Sequence, residues 1–273
     1  KEAGITEMVV ASTGNVAIAY SAYAARAGIK LWAFVTSLVP AVKMREIALY
    51  GSQVIKVTGS YDQVKRAATE FAKQRNLYQN KGARSIPSVE SMKTVGYEIA
   101  EQLTAYFGAD QNAGSTVGWR TPDWYIQAIS GGMGPLGVSK GFSELQSMGF
   151  IKNKPAIVGV QSAGCSPIVN SWKKGLEEAE VVEVPKTHIE TLATGDPGRT
   201  YQLLKKEVDE TGGAFESVTD EEAFRAMHVL AKMEGISAEP AAAVAFAGLF
   251  KLVRAGVIKQ DDTVVVNCTG HTM

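Results

Sequence analysis

Three short stretches hold the residues best able to do chemistry: Ala11-Ser12-Thr13-Gly14-Asn15, Ser130-Gly131-Gly132-Met133-Gly134-Pro135-Leu136-Gly137 and Asn267-Cys268-Thr269-Gly270-His271. In the middle stretch Gly132, Gly134 and Gly137 fit G-x-G-x-x-G, a spacing that lets backbone N–H groups approach a phosphate. A dinucleotide site makes a second demand: an acid closing the next strand, about 20 residues on, to take the ribose hydroxyls. The next strand candidate ends in Gln161-Ser162, with no carboxylate. Phosphate binding therefore ranks above a Gly-rich packing turn, and NAD below both. Ser12-Thr13-Gly14-Asn15 offers two hydroxyls, an amide and the free N–H groups of a helix start, which together make an anion pocket. Taken alone, four small polar residues are better read as a cap that satisfies its own backbone. Cys268 reads as a small core hydrophobe, and His271 as a hydrogen-bonded structural group rather than a proton carrier.

These stretches need elements to position them. Short apolar, β-rich runs alternate with amphipathic ones, the pattern of a parallel sheet covered by helices on both faces. The pattern predicts strands at 7–11, 31–35, 53–57, 123–129, 156–160 and 263–267. It predicts helices at 15–27, 40–50, 61–75, 93–107, 136–148, 199–211, 220–232 and 239–255. All three chemical stretches then fall just after a strand, on the sheet edge where open α/β folds bind ligands. The polar, Gly-rich segment 108–121 reads as an exposed linker. It would part a smaller three-strand domain, 1–110, from a larger one, 111–273. Segment 175–198 reads as irregular chain.

The bulk composition narrows the function class. In 273 residues, Lys plus Arg balance Asp plus Glu at 28 each, which gives no electrostatic reason to expect nucleic acid or an anionic membrane as partner. Apolar residues make up 45%, enough for a sizeable core. Two cysteines are too few for a disulfide framework and fit a reducing, cytoplasmic setting. No apolar run approaches the roughly 18 residues of a membrane span. The opening Lys1-Glu2-Ala3-Gly4 reads as the end of a helix, so a missing N-terminal segment is expected.

In order and spacing, ASTGN, the glycine loop and CTGH together resemble the fold-type II pyridoxal-phosphate enzymes, and among them the threonine synthase family. SLVPAVKMREIALYGSQVIKV, SVESMKTVGYEIAEQL and MEGISAEPAAAVAFAGLFKL extend the resemblance over nearly the whole chain. It implies an α/β fold of two mainly parallel sheets with helices on both faces, and pyridoxal 5'-phosphate as cofactor. By resemblance, Gly131, Gly132, Met133 and Gly134 would hold the cofactor's phosphate, Asn15 its phenolic oxygen and Thr269 its pyridine nitrogen. Ser12, Thr13 and Gly14 would receive the substrate's α-carboxylate. Arg84 would anchor a leaving phosphate, since a guanidinium matches phosphate geometry; an exposed loop arginine is the plainer reading. The implied reaction converts O-phosphohomoserine and water to threonine and phosphate, a phosphorylated amino acid being the substrate. Thr269, in place of the serine typical of cysteine synthases and many dehydratases, favours that branch.

The resemblance also implies a Schiff-base lysine in a Ser-x-Lys-Asp-like motif upstream of STGN, and none of these residues matches it. Lys43, Lys93 and Lys140 belong to helix patterns. The expectation is that the lysine lies in the missing segment; the alternative is a non-catalytic relative. Pro135 stands where the family carries a polar residue, which removes one N–H and one side-chain donor from the phosphate cradle. Ala242 and its neighbours lack the serine often found after the Glu-Pro pair. A threonine or serine dehydratase and a cysteine synthase-type enzyme therefore remain alternatives. The family commonly forms homodimers, although PAAAVAFAGLFKLV reads as a helix buried in its own core.

Overall fold

A computed structural model describes residues 1–12, 14–110 and 118–271. The chain forms two compact units, Lys1–Ser85 and Ile86–Met273. In the first, the order is β1 (Glu7–Ser12), α1 (Asn15–Ala27), β2 (Lys30–Thr36), α2 (Ala41–Leu49), β3 (Gln53–Val57), α3 (Tyr61–Gln74) and β4 (Tyr78–Asn80). The strands pair in parallel as β3-β2-β1-β4. Alternation sends Met8 and Val10 of β1 into one cluster with Ala17, Ala24 and Ile47, on the side of α1 and α2. Val9 goes to the other face, against Val64, Ala68 and Ala72 of α3. Burial on both faces is why these strands read as continuous apolar runs. α1 stops where Gly28 turns left-handed, and α3 opens on a Ser60–Gln63 capping box. The expected three strands become four, because β4 is only the three residues Tyr-Gln-Asn and has no apolar alternation to betray it.

The second unit runs α4 (Ile86–Phe107), β5 (Trp124–Ala128), α5 (Met133–Ser147), β6 (Ala156–Ser162), α6 (Pro167–Lys173), α7 (Arg199–Thr211), β7 (Ala214–Val218), α8 (Asp220–Glu234), α9 (Pro240–Arg254) and β8 (Val264–Asn267). Its parallel order is β7-β6-β5-β8. Ile126, Val158 and Val160 pack against α8 and α9. Tyr125, Ile157 and Phe215 pack on the opposite face with Phe142 of α5 and Leu204 of α7. In α9, Ala241 to Ala245 are buried within this unit. β7 and α6 escape the sequence pattern, the first for its internal glutamate and the second for its length.

The division falls at Ser85 rather than near residue 110, because α4 packs on α5. Glycines let the two helices approach: a Cβ at Gly137 would lie 2.4 Å from Met92 Cβ, and one at Gly141 2.5 Å from the Lys93 carbonyl oxygen. α4 also begins seven residues before the expected 93, with Pro87 in its first turn, where its missing N–H is no loss. Of the expected linker, 111–117 lies outside the described residues. Its flanks are tied down, with Asp110 N–H donating to Gly118 O at 2.9 Å and Trp119 N–H to Phe150 O at 3.0 Å.

Segment 175–198 is irregular apart from a 3₁₀ turn at Glu190–Leu192. Asp220, at the start of α8, pins it by accepting from Thr187 Oγ1 at 2.7 Å, His188 N–H at 2.6 Å and Ser162 Oγ at 2.8 Å. Partial burial opposes the Asp220 charge, but these donors outweigh it and hold the carboxyl below its usual range. A depressed carboxylate pKa adds stability that is full above the unfolded-state value and is lost as pH falls through the folded one. Asp220→Asn should therefore lower the melting temperature near neutrality, with the gap to wild type closing below about pH 4. Thermal scans across that range test it, and a pH-independent gap would refute it.

Candidate functional site

Both sheets change direction at one point. β1 leads outward through β2 to β3 before β4 returns to its other side, and β5 leads through β6 to β7 before β8 returns. Ligands of open α/β sheets bind at the carboxyl ends of the strands flanking such a switch. In the first unit those ends carry the Ser12–Asn15 turn and the loop after Asn80. In the second they carry the glycine loop and the segment beginning at Cys268.

In the first unit Ser12 is buried, and its Oγ accepts from Gly14 N–H at 3.0 Å and Ala17 N–H at 3.1 Å. The hydroxyl therefore caps α1 from inside the turn. Gly14 has φ +138, and a Cβ there would meet Lys43 Cδ at 3.0 Å. Lys43 Nζ donates to Asn15 Oδ1 at 2.6 Å. An ammonium only donates, so the contact fixes which end of the Asn15 amide faces Lys43 and turns the NH₂ end the other way. Thr13 lies outside the described residues. Arg84 is exposed on a 3₁₀ turn, Gly82–Arg84. Asn80 braces that loop by accepting from Gly82 N–H at 2.9 Å while its amide donates to Tyr20 Oη at 2.7 Å. Since Val10 pairs with Asn80, Arg84 follows the same sheet edge as Ser12.

In the second unit α5 begins at Met133, three residues before the expected 136, so the glycine loop runs into its first turn. Gly132 occupies the cap position with φ +85, and no side chain caps the helix. The N–H groups of Gly132, Met133 and Gly134 therefore face outward without an intrahelical acceptor, backed by the positive end of the helix dipole. Pro135 is the fourth residue of that set and has no N–H to offer. The loop is held from behind: Gln161 Nε2 donates to Ser130 O at 3.2 Å, and Ser130 Oγ bonds Thr194 Oγ1. The other end of the Gln161 amide accepts from Ile168 and Val169 N–H at 3.0 and 3.1 Å, capping α6. The position where a dinucleotide fold needs its ribose acid is thus a buried structural amide. The three glycines serve separate ends: Gly132 the turn, Gly134 an approach to Gln127 and Gly137 the packing on α4.

Thr269 is exposed just past β8, the strand neighbouring β5. Glu239, at the start of α9, braces this segment through its N–H, which donates to Gly270 O at 3.0 Å, and Ala238 bridges to His271. Cys268 is exposed, contrary to the core reading, because β8 ends at Asn267 and the chain leaves the sheet there. Partial desolvation, and then the Glu239 carboxylate, raise its thiol pKa. The structure thus brings Gly131, Gly132, Met133, Gly134 and Thr269 to one sheet edge, and Ser12, Gly14, Asn15 and Arg84 to another. The motif reading missed Lys43 as a partner of Asn15, and Gln161. A lysine inside a helix pattern and a polar residue ending an apolar strand were the available signals.

The family described as pyridoxal-phosphate dependent enzyme matches residues 1–270. Threonine synthase of Methanosarcina acetivorans is 33% identical over 277 aligned positions, covering all of this chain and 64% of its own length. Threonine synthase of Methanocaldococcus jannaschii is 31% identical, covering 99% of this chain and 63% of its own. The chain thus spans somewhat under two thirds of these relatives. Among solved structures, the threonine deaminase of T.th. superposes with TM-score 0.79 at 18% identity, over 99% of this chain and 79% of that one. Threonine deaminase isoform 2 of Solanum lycopersicum gives 0.79 at 18%, over 100% and 71%. At that identity the structural likeness speaks for the fold alone.

Proposed function

The chain belongs to the pyridoxal-phosphate dependent enzyme family, and on that premise we propose that it carries the cofactor and substrate sites of a threonine synthase-type lyase. One observation carries the reading: an uncapped helix start with three free N–H groups shares a sheet edge with a neutral threonine hydroxyl. The donor set fits the group. Gly131, Gly132, Met133 and Gly134 would bind the phosphate dianion, and Thr269 would hold the pyridine nitrogen. A hydroxyl partner leaves that nitrogen largely unprotonated, which suits elimination and replacement. Pyridoxal phosphate, when bound, draws electron density from the bonds at the substrate's α carbon. Everything else falls to the protein's own groups.

Asn15, its amide oriented by Lys43, would donate to the cofactor's phenolic oxygen. Ser12, Thr13 and Gly14 would receive the α-carboxylate. The Ser12 lone pairs and the Gly14 N–H are engaged within the turn, which leaves the Ser12 hydroxyl proton to donate to that carboxylate. Arg84, for which no ion pair exists among the described residues, would anchor the phosphate that departs from O-phosphohomoserine. A reducing, cytoplasmic setting belongs to the same reading and is supported by the cysteine count, two being too few to form a disulfide framework. Among the described residues no helix is long and apolar enough to cross a membrane.

The test is the protein expressed from its full reading frame and supplied with O-phosphohomoserine. Threonine and inorganic phosphate should appear in equal amounts. Conversion of threonine or serine to a keto acid, without phosphate release, would move the assignment to a dehydratase.

A further inference from the structure

We propose that Gln127 supplies a side-chain donor to the phosphate cradle, oriented by a buried relay from Asn267 through Tyr125. The inference rests on the cofactor reading above and deepens it. Gln127 lies on β5 two residues after Tyr125 and shares its face of the sheet; in register it pairs with Asn267 of β8. Asn267 Nδ2 donates to Tyr125 Oη at 2.8 Å, and Tyr125 Oη donates to Gln127 Oε1 at 2.8 Å. A phenol has a single proton to give, so the Asn267 bond commits it to Gln127 Oε1. Tyr125 is fully buried, and burial keeps it a phenol far above neutral pH. Its proton is therefore always present.

With Oε1 engaged by Tyr125, the Gln127 amide nitrogen is the end left to bond elsewhere. The amide packs against the first turn of α5: a Cβ at Gly134 would lie 2.4 Å from Nε2 and 2.8 Å from Oε1. Cβ bonds in a helix tilt toward its N-terminus, so this contact puts the amide on the N-terminal side of Gly134, in the first turn of α5. Among the described residues no acceptor pairs with it, and among the same residues no buried side-chain nitrogen or oxygen lacks a partner. The nitrogen is therefore one that keeps some accessible surface, on a residue that is only half-buried. It can replace the donor that Pro135 removes from the cradle. The relay also joins the cradle to the strand that delivers Thr269, because Asn267 stands two residues before it.

The experiment titrates the full-length protein with pyridoxal 5'-phosphate and, separately, with pyridoxal, which lacks the phosphate, following absorbance. Gln127→Leu should weaken pyridoxal phosphate binding about 10-fold, and Gln127→Glu, which sets a carboxylate beside the dianion, about 100-fold or more. Tyr125→Phe, with the donor present but unoriented, should lose a few-fold. Pyridoxal affinity should stay unchanged in all three, and melting temperatures identify any variant whose fold has failed. Wild-type protein that prefers pyridoxal phosphate, with Gln127→Leu and Gln127→Glu equally selective, overturns the role of Gln127. Wild-type protein that does not discriminate between the ligands overturns the cofactor reading instead.

Discussion

Gly132→Ala is expected to weaken pyridoxal phosphate binding by at least about 100-fold, the loss of two charge-assisted hydrogen bonds. The residue sits at φ +85, a left-handed conformation that costs a residue with a Cβ about 1–2 kcal/mol. The new methyl group would also start 2.8 Å from Leu204 Cδ2, and Leu204 is fully buried, so it has no room to retreat. Both strains are relieved by rotating the loop, which swings the N–H groups of Met133 and Gly134 away from a common anion. The melting temperature should fall about 3–10 °C, as a loss of about 1–3 kcal/mol does in a domain of this size. Met148→Ala, exposed at the far end of α5, is the control: it leaves the glycine loop untouched, so binding should change less than about threefold. Equal, undiminished affinity in both variants would show that the phosphate is held elsewhere.

A second substitution should act on the fold. Gly141→Val places a branched side chain where even a Cβ would stand 2.5 Å from the Lys93 carbonyl oxygen and 3.1 Å from Lys93 Cα. Those are backbone atoms, so the overlap is relieved only by separating α4 from α5. Separation opens the cluster around Phe142, Val138 and Ala100 and pulls apart Lys93, whose Nζ donates to Glu144 at 2.8 Å. Overpacking with forced helix displacement costs about 3 kcal/mol or more, and urea denaturation should register it as a lower midpoint. Lys93→Met removes the charge contact but keeps the packing, and should cost well under half as much. If the two variants were equally destabilised, the interface would owe more to its charges than to close approach.

Much of this was legible in advance. β3 and the helices α1 and α7 have the residues their periodicity predicts, since their limits are set by local chemistry: Gly28 and Gly212 close the two helices in left-handed conformation. The three chemical stretches fall after strands, as expected, because apolar runs broken by Gly and small polar residues describe a parallel sheet edge. The starts of α4 and α5 depart from the periodicity for one shared reason. Pro87, Gly134 and Pro135 look like breakers in sequence, yet Pro is tolerated in a first turn, and packing against a neighbour offsets the intrinsic weakness of glycine.

From the order of its residues alone, the chain determined its fold class, the strand ends at which its candidate site residues sit and its family likeness, since periodicity and turn chemistry are local properties. Tertiary structure decided what each polar group does. Ser12 points inward to cap α1, Gln161 caps α6, and Gln127 is aimed by Tyr125 and Asn267. A side chain's hydrogen bonds depend on which atoms of distant residues the sheet register brings within about 3 Å, and no local pattern records that distance.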